Sequence, residues 1–168
     1  DGGMQLPQLP SGEEVNVKMG YSLANALFST AHIREWEGSP SEFSFHAEQE
    51  LLSSIPTYWE EEKVLPLSSL GNQTAIARKK DDSWYIAIQN GSKSLRESIP
   101  FHFLGEGRFK VSLFKDAPGK LEMLLHKTMV VDSAHWEEIS LPAGGGLLAR
   151  MEKTTLPLQE IGLSYATE

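Results

Sequence analysis

The residues best suited to chemistry in this chain are Tyr58 and Trp59, followed directly by Glu60, Glu61 and Glu62. An aromatic ring face stacks on the CH groups of a sugar, and a neighbouring carboxylate accepts from its hydroxyls. Tyr58, Trp59 and Glu60 are therefore candidates for carbohydrate contact. The same run also reads as the solvated start of a strand, the commoner use of such a sequence. Glycoside cleavage needs two carboxylates facing each other across the bond at about 5–9.5 Å. Adjacent glutamates on a strand point to opposite faces, so this run is no such pair and no catalytic residue is assigned in the chain. His32, His46, His102, His126 and His135 are scattered, with neither an HxxxH spacing nor a cysteine beside them to set a transition-metal geometry, so no metal ligand is assigned either. Gly144-Gly145-Gly146 lacks the lysine and helix of a phosphate loop and reads as a tight turn before a strand. Asn72-Gln73-Thr74 matches a glycosylation sequon.

Bulk properties narrow the field further. The 168 residues suffice for one well-buried core, or for a sandwich of about 100 residues with something attached. A net charge of -8 argues against a nucleic-acid backbone as partner, because counterion release needs clustered Lys and Arg. With no cysteine there is no disulfide framework and no thiol nucleophile. No apolar run approaches the roughly 20 residues needed to span a bilayer.

The elements that must position these residues are mostly strands. Thr74 to Gly91 contains two short apolar runs around the charged turn Lys79-Lys80-Asp81-Asp82-Ser83 and reads as a β-hairpin. Trp84, Ile86 and Ile88 fall on one face, expected to be the core, and Tyr85, Ala87 and Gln89 on the other. Further strands are expected at Tyr58 to Leu65, Ile99 to Phe103, Arg108 to Phe114, Leu121 to Val131, Glu137 to Leu141 and Leu147 to Met151. Turn residues recur about every 8–12 positions, as a sandwich or barrel requires. The fold class is thus mainly β, an antiparallel sandwich of about eight strands, Greek-key type, preceded by two α-helices.

The chain divides into a Gly- and Pro-rich linker over 1–16, a helical segment over 17–56, the sandwich over 57–153 and a tail over 154–168. The first helix, about Val17 to Trp36, carries Met19, Leu23, Leu27 and Ala31 at i+4 spacing, with Ala24, Ala26 and Phe28 on other faces. So many apolar faces exceed what one sheet covers. Leu23, Leu27 and Phe28 are expected to leave an apolar patch in this chain, covered only by missing protein. Ser39-Pro40-Ser41-Glu42 opens a second helix as a capping box, Phe43, Ala47, Leu51 and Ile55 mark its buried face, and Pro56 ends it.

Ile55-Pro56-Thr57-Tyr58-Trp59-Glu60, Val64-Leu65, the run from Ala75 to Ala87, Phe103-Leu104-Gly105-Glu106-Gly107, Phe114-Lys115-Asp116 and the run from Pro142 to Arg150 occur in that order. Together they resemble the C-terminal domain of glycoside hydrolase family 97, α-glucosidases and α-galactosidases among its enzymes. Leu23-Ala24 and Ser39-Pro40 are similar to that family's last barrel helix and the segment after it. The family usually reads Trp-Asp-Glu-Thr where this chain has Trp59-Glu60-Glu61-Glu62. The resemblance implies a structural sandwich involved in oligomerisation. It also implies a parent bacterial enzyme working on α-linked sugars in the periplasm or outside the cell, often with calcium.

The family's catalytic glutamates and calcium ligands sit in an N-terminal sandwich and a (β/α)8 barrel, so none transfers to a numbered residue here and no cofactor is assigned to this chain. The expected partners are the remainder of such a barrel glycosidase or a second copy of the chain, with an α-linked oligosaccharide as a further partner, and no nucleic acid or membrane span. The alternative is a free-standing, non-catalytic module that binds carbohydrate or protein.

Overall fold

The computed structural model describes residues 18–28, 46–67, 72–118 and 123–167. Two helices, α1 (Met19–Phe28) and α2 (His46–Ser54), precede nine strands. These are β1 (Glu61–Val64), β2 (Gln73–Lys80), β3 (Ser83–Asn90), β4 (Leu95–Pro100), β5 (Arg108–Asp116), β6 (Met123–Asp132), β7 (Trp136–Leu141), β8 (Gly146–Thr154) and β9 (Gln159–Thr167). The expected linker over 1–16, the capping box at Ser39 to Glu42, Phe43 and the helix beyond Phe28 lie outside the described residues.

One sheet has seven strands in the order β1-β2-β3-β8-β5-β6-β9, and β4 and β7 form a second, two-stranded sheet. Every pairing is antiparallel. After the β5–β6 hairpin the chain crosses to the small sheet as β7 and returns as β8 beside β5, a Greek key spread over both sheets. The segment read as a tail supplies β9, an edge strand paired along β6 from Met123↔Thr167 to Val130↔Gln159.

Period-2 alternation gives the large sheet two buried faces. Trp84, Ile86, Ile88, Phe109, Val111, Leu113, Ala149 and Met151 pack against Leu95, Ile99, Ile139 and Leu141 of the small sheet. This is the sandwich core, on the face expected for Trp84, Ile86 and Ile88. The opposite face carries Ile76, Tyr85, Ala87, Phe114, Leu124 and Leu148, which pack against Leu23, Ala24, Ala26 and Leu27 of α1 and Leu51, Leu52 and Ile55 at α2. The order of layers is helices, seven strands, two strands.

Three expectations need correction. The first helix covers itself with its own chain: Gly20, Leu23, Ala24 and Leu27 form a single i, i+3, i+4, i+7 stripe that is buried on the sheet. Leu23 and Leu27 are therefore no exposed patch, and Phe28 is partly buried in the same cluster. The strand placed at Tyr58 to Leu65 begins only at Glu61, where pairing with Lys79 starts. The strand placed at Ile99 to Phe103 instead ends at Pro100, which has no N–H to continue a ladder, and His102–Leu104 is a 3-10 turn.

Candidate functional site

The seat of α1 on the large sheet is an extended polar construction. A helix leaves its first four N–H groups without intrahelical partners, and those ends carry partial positive charge. At the start of α1 the N–H groups of Gly20 and Tyr21 donate to the Asp116 carboxylate at 2.9 and 3.2 Å, and Gly146 N–H donates to it at 2.8 Å. Asp116 ends β5 and is 3 % exposed. One buried carboxylate thus ties the helix, β5 and β8 together. Lys18 N–H adds a bond to the Gly144 carbonyl at 3.1 Å.

The other end of α1 meets the opposite charge. Arg78 on β2 donates from Nη1 to the carbonyl of Leu27 in the last helical turn, and its Nε pairs with Glu62 at 2.6 Å. Between the ends, Gln89 on β3 donates to the Tyr21 carbonyl at 3.2 Å and to Asn25 Oδ1 at 2.6 Å. An acid under the N-terminus and a base under the C-terminus match the helix dipole at both poles.

Close approach makes this seat possible. A Cβ on Gly20 would strike the Gly146 carbonyl oxygen, and a Cβ on Gly146 would overlap the Tyr21 backbone. Glycine inside a helix costs about 1 kcal/mol relative to alanine, so Gly20 marks a contact rather than a helix preference. The glycine run does form a tight turn, with Gly144 at φ 71°, and its last member lets the helix down onto β8.

Burial pushes the Asp116 carboxyl above the usual carboxylate range, more than the three backbone donors and Lys18 draw it down. His126 on β6 is displaced in the opposite sense from an ordinary histidine, lowered by burial. Its ring stacks on Phe114 at 4.2 Å and shares a hydrogen bond with Ser112 Oγ at 3.0 Å. With a folded pKa below the unfolded one, the stability it contributes is present above the unfolded pKa and lost as pH falls through the folded value. Denaturation midpoints measured down through the histidine range should therefore fall more steeply for the wild type than for His126→Gln. Parallel curves would show that His126 titrates alike in both states.

The structure places the residues singled out for carbohydrate contact just before β1. Tyr58 is 61 % exposed, with Lys80 Nζ 3.4 Å from its ring centroid. Trp59 turns inward, edge-on to Tyr85 at 5.3 Å and under Arg78 at 5.8 Å, and packs against the helix layer. Glu60 lies 3.9 Å from Lys80. The three do not form one aromatic platform. Among the described residues no three His, Cys, Asp or Glu side chains come together to hold a metal ion. His135 pairs with Glu137 at 2.8 Å, and His102 Nδ1 lies 3.0 Å from the Ser133 carbonyl. Asp116 and Arg78 carry no local pattern that marks these roles. Their signal was a charged residue on the apolar helix-side face of a strand, legible only once that face is known to receive a helix.

The fold is thus a helix-backed antiparallel sandwich whose first helix is clamped at both ends. The comparisons agree. The family model described as the glycosyl hydrolase 97 C-terminal, oligomerisation domain matches residues 58–152, and the chain belongs to that family. Among solved structures, a variant glycoside hydrolase family 97 enzyme from Pseudoalteromonas sp. strain K8 in complex with panose superposes with a TM-score of 0.72 at 18 % identity, over 82 % of this chain and 23 % of that one. The same organism's enzyme in complex with acarbose gives 0.58 at 20 % identity, over 64 % and 18 %. A β-arabinopyranosidase gives 0.60 at 18 % identity, over 83 % and 22 %. The chain thus spans less than a quarter of the length of these structures. No curated protein sequence matches.

Proposed function

We propose that this chain is the C-terminal part of a glycoside hydrolase acting on α-linked glucosides or galactosides, and that its sandwich braces the catalytic barrel and joins subunits without catalytic residues of its own. The observation that supports this is the two-ended clamp that fixes α1 on the sheet of a domain whose family model is described as oligomerisation; in this reading α1 belongs to the end of the barrel. A rigid joint of this kind transmits position, not chemistry. Among the described residues no three His, Cys, Asp or Glu side chains come together to hold the calcium that the resemblance implies for the parent enzyme, Asp116 accepting from three backbone N–H groups and Glu137 pairing with Lys127 and His135. In this reading calcium and the catalytic glutamates belong to the barrel and N-terminal sandwich, and the enzyme works in the periplasm or outside the cell.

A free-standing binding module is the second reading, favoured by the burial of α1 on the chain's own sheet. Release of nitrophenol from aryl α-glucosides and α-galactosides distinguishes catalysis from support. The purified 168-residue chain should release none, and should give more than a monomer's mass by light scattering at high concentration. Turnover abolished by replacing one of its glutamates would overturn the proposal, and a strict monomer would favour the second reading.

A further inference from the structure

An open sheet ends in strands whose unpaired N–H and C=O groups can pair with another chain. Among the described residues this sandwich has four such edges: β1 and β9 at the two ends of the large sheet, and the outer sides of β4 and β7 in the small one. Three of them are blunted. β1 is four residues long and carries the charges of Glu61, Glu62 and Lys63. β4 carries Arg96 and Glu97 and stops at Pro100. Glu137 and Glu138 stand on β7, and Lys115 Nζ donates to its Ser140 carbonyl at 3.4 Å. Short edges, charges and proline are the devices by which sheet proteins avoid pairing with one another.

β9 lacks them. It runs for nine residues, and beyond Glu160 its sequence holds neither a charge nor a proline. Its pairing with β6 shifts once, between Thr128 and Met129, and from Gly162 to Thr167 the two strands match residue for residue. The ladder fixes which way this backbone points. Ala117 N–H donates to the Met123 carbonyl at 2.9 Å, in line with the β5–β6 register. Bonded and non-bonded pairs alternate along an antiparallel ladder, so the odd-numbered residues of β6 bond to β5 and the even-numbered ones to β9. The β9 partners of Thr128, His126 and Leu124 are Gly162, Ser164 and Ala166. The N–H and C=O groups of Leu163 and Tyr165 therefore point away from β6, and among the described residues no strand receives them.

We infer that two copies of the chain join β9 to β9, antiparallel about a two-fold axis, through the backbone of Leu163 and Tyr165, so that their large sheets run on into one another. This names the surface of the subunit contact proposed above and rests on that reading, which the oligomerisation description of the family model supports. A two-fold axis sets the same edge of both copies face to face, and with one such edge per copy the pairing closes at a dimer instead of growing into a fibre. Light scattering over a concentration series should give that dimer for the full chain. Tyr165→Pro removes an N–H that the single chain leaves unused, a position where an edge strand takes proline, and Tyr165→Lys adds the charge that the other edges carry. Each should raise the dimer dissociation constant by about tenfold or more, since the pairing is weakened twice across the axis. Val64→Lys, on the opposite edge of the sheet, should leave it unchanged. Because the chain has no cysteine of its own, single cysteines placed in turn from Leu163 to Thr167 should form a linking disulfide on oxidation at the one or two positions nearest the axis. A dimer that persists in both Tyr165 variants and gives no such link would overturn the inference while leaving the subunit-joining role to another surface. A monomer at every concentration would overturn both.

Discussion

Replacing Asp116 by alanine is expected to destabilise the chain by about 3 kcal/mol or more, because it leaves three buried backbone donors, on Gly20, Tyr21 and Gly146, with nothing to accept from. Each costs about 1–3 kcal/mol when unpaired, and a helix end loses its compensating charge as well. Asp116→Asn keeps one acceptor oxygen and should lose less. Urea denaturation of the three proteins measures the order. The pH dependence carries a second signature, since burial raises this carboxyl in the folded state. A carboxyl raised on folding contributes stability that is fully present below its unfolded pKa and lost as pH rises through the folded one. The wild type should therefore gain on Asp116→Asn as the solution is acidified, the reverse of a salt-bridged aspartate. A constant gap across that window would show an ordinary carboxylate.

The second large effect lies on the other face of the sheet. Trp84 is 3 % exposed, packs edge-on to Phe103 at 5.1 Å and belongs to the cluster between the two sheets. Truncating a large aromatic in a packed interior costs about 3–5 kcal/mol, so Trp84→Ala should shift the denaturation midpoint by that amount at unchanged slope. An unmoved midpoint would mean that the tryptophan stands outside the core.

Much of this was legible beforehand because strands announce themselves by alternation. The hairpin at Thr74 to Gly91, the facing of Trp84 against Tyr85 and the glycine turn at Gly144 to Gly146 all follow from local pattern. Less was legible where partnership decides. Tyr58 and Trp59 have the composition of a strand, yet pairing begins only at Glu61. Gln159 to Thr167 becomes a strand through the open edge of β6. The first helix has apolar residues on several faces, but Gly20 allows it to sink onto Gly146 until its main stripe is covered. The seats of Asp116 and Arg78 are long-range constructions that no spacing along the chain displays.

The first helix is part of the sandwich's own structure, fixed at both poles by Asp116 and Arg78. Native-state hydrogen exchange resolved at single amides tests it most directly. The Gly20, Tyr21 and Leu23 amides should be protected to the same degree as Ala87 and Phe114 on the sheet beneath, and should lose that protection in Asp116→Ala. Exchange of those helix amides at the rate of an unstructured chain, while Ala87 and Phe114 stay protected, would contradict the claim.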